Sequence, residues 1–147
     1  YEKLMDLFEE YPVLVGAAHP YREGGNIPKL PQEQLKRLHF LDLNGKDVAK
    51  NRNYYEILTD TLAKELEIPM VGGSDTHQSV QYGCIRTNFQ KDVKKVAALY
   101  EMMQSRNYTV EISSHAASKV NTAGIMKKAL KEIHALGGDY VAILTNS

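Results

Sequence analysis

The sequence predicts an α/β fold in which alternating strands and helices build a mainly parallel sheet. Short continuous apolar runs at 12–18 (PVLVGAA) and 68–71 (IPMV) are typical of strands that are buried on both faces. They alternate with longer segments in which apolar residues recur every three to four positions, the period of an amphipathic helix. Such alternation is typical of consecutive β/α units.

The first half of the chain divides into regular helix and strand patterns. Leu4, Leu7 and Phe8 give the first segment one apolar face. Farther along, an apolar residue recurs every four positions from Tyr54 to Leu66. In chain order, the predictions are a helix over 1–10, a strand over 12–18, a short helix over 32–37, a strand over 38–43, a helix over 51–66 and a strand over 69–74.

The second half continues the alternation. Apolar residues at helical spacing predict two further amphipathic helices. Gly137-Gly138 suits the end of the second one, because glycine readily adopts the left-handed conformation of a helix C-cap. The predictions are a strand or loop over 84–88, a helix over 91–105, a strand over 108–112, a helix over 122–136 and a strand over 140–144.

Two of the predicted strands end in side chains that suit metal chemistry. The second apolar run leads into GGSDTH (72–77), and the first leads into His19. Residues two apart on an extended backbone point to the same side, so Asp75 and His77 should project together. If both strands belong to one parallel sheet, His19 emerges at the same edge. A carboxylate and two imidazoles at one edge predict a metal site.

Composition and charge narrow the range of functions. The 147 residues are 43% apolar and 24% charged, as in ordinary globular proteins. The 18 basic and 18 acidic side chains balance, which argues against a dedicated nucleic-acid binder. No apolar run is long enough to span a membrane. The single cysteine, Cys84, excludes an internal disulfide and favours a cytoplasmic location.

Three stretches carry a resemblance to a known family. GAAHPYR (16–22), LDLNG (41–45) and GGSDTHQ (72–78), followed by Gly83 and Thr87, are similar to the C-terminal part of PHP domains. These domains form the polymerase and histidinol phosphatase superfamily of metal-dependent phosphoesterases. The resemblance covers roughly the first ninety residues, and GSDTH is its most specific part. It implies part of a distorted (β/α)7 barrel, which in the family holds up to three metal ions.

The resemblance also implies roles for individual residues. His19, Asp75 and His77 would be metal ligands, and Asp75 and His77 would also be catalytic. Mn, Zn or Fe would suit this mixture of imidazole and carboxylate. Arg22 would bind the substrate, because a guanidinium can hold two phosphate oxygens at once. The implied partner is a small phosphorylated substrate, either a phosphomonoester or a nucleotide.

The other polar residues have structural interpretations. Asp42 and Asn44, in the LDLNG stretch, are interpreted as strand-end and turn residues. Cys84 is expected to be buried and inert. The remaining histidines and the lysines of the last helices are interpreted as surface or boundary residues without a catalytic role: His39, His115, His134, Lys91, Lys94, Lys95, Lys127, Lys128 and Lys131.

Several features of a complete family member are missing. The sequence contains no His-x-His pair and starts within a predicted helix. At 147 residues it is too short for a closed β/α barrel, which usually takes about 250. We therefore expect the C-terminal portion of a larger protein, with 1–90 bearing the motifs and 91–147 of unassigned role. A partial barrel leaves a sheet edge uncovered, so we also expect self-association.

Two functions of different classes remain open. One is a PHP-type phosphoesterase that is weak or inactive as this portion alone. The other is a regulatory or assembly module that keeps the scaffold without a complete metal centre. A zinc amidohydrolase-like barrel also places Asp and His at strand ends, but it usually needs a carboxylated lysine or further histidines. A His-x-His pair in upstream sequence would favour the phosphoesterase.

Overall fold

The computed structural model describes residues 2–138, in which five strands form two small sheets. The helices are α1 (Glu2–Glu9), α2 (Gln32–Leu35), α3 (Gly45–Glu65), α4 (Val96–Gln104) and α5 (Ala116–Ala135). The strands are β1 (Gly16–Ala17), β2 (Phe40–Asn44), β3 (Met70–Gly73), β4 (Ile85–Phe89) and β5 (Tyr108–Ile112). Across this range, every helix is too short or too polar to cross a bilayer.

The first three strands form a parallel sheet in the order β1-β2-β3, which confirms the α/β class. Gly16 pairs with Phe40 on one side of β2, and Asn44 pairs with Gly73 on the other. Helix α3 makes the crossover that parallel neighbours such as β2 and β3 require. The carboxyl ends of the strands therefore meet at one edge. Three strands form an open sheet, so the partial barrel stays a prediction.

Strands β4 and β5 form a separate antiparallel pair, so the prediction of a mainly parallel sheet is wrong for this half. Strands of a parallel sheet are covered on both faces, whereas Arg86, Asn88 and Glu111 are exposed on one face of this pair. Arg86 and Asn88 donate hydrogen bonds to Glu111 across the pair. On the other face, Thr87 exchanges hydrogen bonds with the backbone of Gly72 and so joins the pair to β3.

Helix α3 begins earlier than predicted because two asparagines cap it in succession. The Asn44 side chain accepts a hydrogen bond from the Lys46 backbone N–H at 2.9 Å and starts the helix. Asn51 then interrupts it with non-helical dihedrals (φ −159°, ψ 92°), and its side chain accepts from the Tyr54 N–H at 3.2 Å. The helix predicted from 51 is thus the second of two joined segments.

The other elements agree with the predictions in type and differ in length. Strand β1 covers two residues of the predicted seven, α4 starts at Val96, and α5 starts at Ala116. Gly137 ends α5 as predicted, because its φ is +82° and the next N–H, from Gly138, is bonded to the Ile133 carbonyl at 2.9 Å. The strand predicted over 140–144 lies outside the described residues.

Two clusters of buried side chains hold the parallel sheet against its helices. The first contains Leu41, and the second contains Leu43, nearer the carboxyl end of β2. Leu41 is 0% and Leu43 is 1% exposed. Cys84 belongs to the second cluster and is fully buried, as predicted. This packing fixes the position of the strand end from which the candidate site extends.

Strand β1 has an open side among the described residues, because it pairs with β2 alone. In and after the neighbouring α1, Leu4, Leu7 and Val13 are between 41% and 48% exposed. Because open strand edges and apolar patches favour pairing with another chain, we expect self-association through this edge. Sedimentation velocity should show a dimer that dissociates on dilution. A monomer at the highest concentration reached would contradict this expectation.

Candidate active site

The carboxyl ends of the parallel strands bring two predicted site residues, His19 and Asp75, together with two residues that were interpreted as structural. His19 follows β1, Asp42 and Asn44 lie at the end of β2, and Asp75 follows β3. Gly73 allows β3 to approach β2 closely here, because a Cβ at this position would lie 2.5 Å from Asp42 Oδ1. Any side chain at 73 would displace the Asp42 carboxylate. The glycine therefore shapes the site by leaving room for its neighbour.

Two of the predicted ligands have backbone conformations that residues other than glycine seldom adopt. The φ angle is +37° at His19 and +51° at Asp75, both in the left-handed region. Such conformations cost on the order of 1 kcal/mol each and cluster at functional sites. The turn after His19 is closed by a hydrogen bond of 3.0 Å from the Arg22 N–H to the His19 carbonyl.

Arg22 connects three side chains at the strand ends. Its Nε donates to Asp47 Oδ1 at 3.1 Å, its Nη1 donates to Asp75 Oδ2 at 2.9 Å, and its Nη2 donates to the side-chain oxygen of Asn44. Burial alone would lower the pKa of Arg22, but the hydrogen bonds to Asp75 and Asp47 outweigh it and raise the pKa. A guanidinium has five N–H donors, so two remain for a ligand. Substrate binding by Arg22 remains a prediction. Its structural role of joining Asp47, Asp75 and Asn44 was not predicted.

The pKa of Asp75 lies below its ordinary value. Burial would raise this pKa, but the hydrogen bond and charge of Arg22 lower it further than burial raises it. His77 and Asn44 lower it as well. Asp75 is therefore ionised at neutral pH, which is the state that a metal ligand needs.

Asp42 has the opposite shift. Burial raises the pKa of Asp42, and the nearby charge of Asp75 raises it further. A 3.3 Å hydrogen bond from Asn44, the backbone N–H of His19 and the His19 ring lower this pKa by less. Asp42 therefore lies near both His19 and Asp75. Its place beside His19 and Asp75 makes Asp42 part of the candidate site, which its interpretation as a structural residue did not predict.

His77 lies at the exposed rim of the site, with 60% of its side chain accessible. Its Nδ1 is 2.9 Å from the Asp75 carbonyl oxygen. Because a carbonyl oxygen only accepts, Nδ1 is the donor in this bond, and Nε2 is the ring nitrogen left for another partner. Histidine ligands of metals are commonly oriented in this way. The Gln81 side chain holds the same loop by accepting from the His77 and Gln78 N–H groups at 2.8 and 3.0 Å.

These donors fit a metal ion in part. Asp75 Oδ1 lies 3.8 Å from His77 Nδ1, but Nδ1 is bonded to the Asp75 carbonyl, so Nε2 is the ring nitrogen that could join the carboxylate in holding Mn, Zn or Fe. Within residues 2–138, however, no group of three His, Cys, Asp or Glu side chains is arranged to hold one ion. The structure thus brings His19 and Asp75 to the same strand ends without assembling a three-ligand site from the described residues. Metal ligation by these residues stays a prediction.

A cavity of about 320 Å³ opens beside this cluster. The cavity is lined by three residues of the strand-end cluster, Arg22, Asp75 and His77. Lys127 of α5 and Lys46, from the first turn of α3, also line it. Lys127 was interpreted as part of a solvated helix face, and Lys46 was not singled out. Helical spacing cannot show which part of a surface face packs across strand ends, so it gave no signal for Lys127. Lys46 lay outside the helix that was predicted from 51.

Comparisons with known proteins bear on both the family and the fold. A family model described as PHP-associated matches residues 58–108, a segment that includes Asp75 and His77 but neither His19 nor Arg22. No curated protein matches the chain. The crystal structure of PsfC from Pseudomonas syringae PB-5123 is similar, with a TM-score of 0.67 and 23% sequence identity over 88% of this chain and 52% of that one.

At this identity the likeness to PsfC supports the fold alone, and the chain spans about half of that protein's length. The family model supports the resemblance that the sequence motifs indicated. Residues 58–108 run from α3 through β3 and β4 to the start of β5, so the match includes the strand end that presents the GSDTH motif. Residues 58–108 are therefore similar to a PHP-associated region, in line with the resemblance that the motifs indicated.

Proposed function

We propose that this chain supplies the C-terminal part of a metal-dependent phosphoesterase active site, in which His19, Asp75 and His77 are metal ligands. The observation that carries the proposal is the meeting of His19, Arg22 and Asp75 near Asp42 at the ends of three neighbouring parallel strands. Open α/β sheets commonly hold their chemistry at this edge. The similarity of residues 58–108 to a PHP-associated region supports the same assignment.

Each residue has a distinct part in the proposed reaction. The ionised Asp75 and the Nε2 lone pair of His77 would hold a divalent Mn, Zn or Fe ion, with His19 joining from β1. When bound, such a metal supplies Lewis acidity and a water of lowered pKa. Arg22 would keep the Asp75 carboxylate in place and direct its two remaining N–H donors at the phosphate. The substrate would be a small phosphomonoester or a nucleotide, and the reduced, buried Cys84 favours a cytoplasmic location.

Metal content measured on the whole chain tests this proposal. After equilibration with Mn²⁺ or Zn²⁺ and removal of free metal, we expect about one metal ion per chain, because two or three ligands hold one ion. His77→Ala should lose most of it, whereas His115→Ala, at an exposed position before α5, should retain it. Equal metal content in both variants, or no metal in the parent chain, would overturn the proposed site.

One observation favours the second candidate, a regulatory or assembly module without a metal centre. Asp75 is already neutralised by Arg22 at 2.9 Å, so the carboxylate is satisfied within the protein. Thermal unfolding with and without divalent metal separates the two candidates. A ligand that binds only the folded state raises the melting temperature, so a metal-dependent rise supports the phosphoesterase. An unchanged melting temperature at millimolar metal supports the module.

A further inference from the structure

More cationic than anionic side chains line the cavity beside the strand ends. Three cationic side chains, Arg22, Lys46 and Lys127, line it together with one carboxylate, that of Asp75. The Arg22 charge is already matched, because its guanidinium is bonded to both Asp75 and Asp47. The excess of positive charge on the cavity wall therefore comes from the two lysines.

Both lysines are available for a ligand. Among the described residues, neither the Lys46 nor the Lys127 ammonium group is joined to a carboxylate or a side-chain hydrogen-bond partner, and both residues are exposed. Another lysine of α5 differs in this respect, since Lys119 donates to the Tyr82 carbonyl oxygen at 2.6 Å. A lysine pair that faces one cavity without internal partners attracts an anion.

The wall of α5 leaves room for such a ligand. Ala123 and Gly124 are the small residues that α5 presents to the cavity, and a Cβ added at Gly124 would meet nothing within 4 Å. The volume of about 320 Å³ is at the lower end of the range for sites that hold small molecules. The cavity therefore suits a compact anion better than a polymer.

We propose that Lys46 and Lys127 form a second phosphate-binding site, so that the chain takes a substrate with two phosphate groups. This inference rests on the proposed phosphoesterase function: one phosphate lies at Asp75 and His77, and the lysines hold the other. Because Lys46 belongs to α3 and Lys127 to α5, the site draws on two elements that both line the cavity. Residues beyond 90, whose role the sequence left unassigned, thereby contribute to substrate selection through α5.

The proposal is tested by binding of inorganic pyrophosphate to the whole chain, in EDTA and at physiological ionic strength, with isothermal titration calorimetry. Lys46→Met and Lys127→Met should each weaken binding about tenfold, the loss of one charge-assisted hydrogen bond. Lys128→Met is the matched control, since it removes an exposed lysine next in sequence that does not line the cavity. Its affinity should equal that of the parent chain.

The outcomes separate this proposal from the metal site. Absent pyrophosphate binding, or an equal loss in Lys128→Met, overturns the lysine site even if the chain binds metal. Pyrophosphate binding that depends on both lysines, in a chain that takes up no metal, leaves the lysine site standing and overturns the phosphoesterase. Circular dichroism of each variant checks that the fold is intact, because both lysines are exposed and their replacement should not unfold the chain.

Discussion

Replacing Arg22 with methionine should lower the free energy of unfolding by about 2 kcal/mol at neutral pH, between the small cost of losing an exposed ion pair and the larger cost of breaking a fully buried one. The guanidinium is 21% exposed, and its partners Asp47 and Asp75 are 8% and 24% exposed. Methionine retains the apolar stem and removes every hydrogen bond. It would leave two carboxylates without a cation and the Asn44 side-chain oxygen without one of its donors.

The loss should depend on pH in a defined direction. Arg22 lowers the pKa of Asp75 in the folded chain below its ordinary value of 3.8. A depressed carboxyl pKa stabilises the folded state above the unfolded-state pKa, and this contribution disappears as the pH falls through the folded-state value. Urea unfolding of the parent chain and of Arg22→Met should therefore give stabilities that differ most near neutral pH and converge as the solution is acidified through the folded-state pKa of Asp75.

Arg37→Met is the matched control for this experiment. Arg37 also bridges two carboxylates, those of Asp6 and Glu9, but these are 61% and 63% exposed. Exposed ion pairs contribute little because water and salt screen them. An equal loss in the two variants would show that the environment of Arg22 has no special effect. A loss in Arg22→Met that stays constant from neutral to acid pH would show that Asp75 is not the partner responsible.

The strand ends could be predicted from the sequence because their signals are local. Continuous apolar runs followed by GGSDTH or by His19 place these residues at the carboxyl ends of strands, and the structure has them there. Asp75 and His77 do lie close, with Oδ1 and Nδ1 3.8 Å apart, but they do not share the extended backbone that was predicted, because β3 ends at Gly73 and Asp75 has a φ of +51°. Local sequence order predicted the strand ends and not the conformation of the loop that follows β3.

The partners of Arg22 could not be predicted in the same way. Asn44, Asp47 and Asp75 lie 22, 25 and 53 positions from it in the sequence. Their meeting depends on the register of three strands and on the cap that starts α3 at Gly45. A guanidinium after a strand could equally be free for phosphate. Only the tertiary arrangement shows that three of its donors are in use.

The antiparallel pairing of β4 and β5 and the early start of α5 were missed for a related reason. Alternation of strands with helices also suits parallel strands, and the exposed polar face of the pair became evident only when the two strands were paired. Similarly, α5 starts at Ala116, whose burial against the second core cluster extends the helix beyond its visible apolar pattern. Packing between distant segments decided both features.

Replacing Gly45 with alanine should lower the free energy of unfolding by about 2 kcal/mol, although alanine is the better helix former. The added Cβ would overlap Cys84 Sγ and lie 3.1 Å from the Ser74 carbonyl oxygen and 3.3 Å from Ile85 Cγ2. Cys84 is fully buried, so its sulfur has little room to move. Overpacking should therefore outweigh the gain of about 1 kcal/mol in helix propensity.

Gly124→Ala provides the comparison, because it makes the same change in α5 where a Cβ meets nothing within 4 Å. It should raise the free energy of unfolding by up to about 1 kcal/mol. A double-mutant cycle then identifies the clash: Cys84→Ala removes the overlapping sulfur, so Gly45→Ala should cost about 1 kcal/mol less in that background. Urea unfolding measures all the variants. If the effects of the substitutions at 45 and 84 are additive, contact with the Cys84 sulfur is not the reason that α3 begins with glycine.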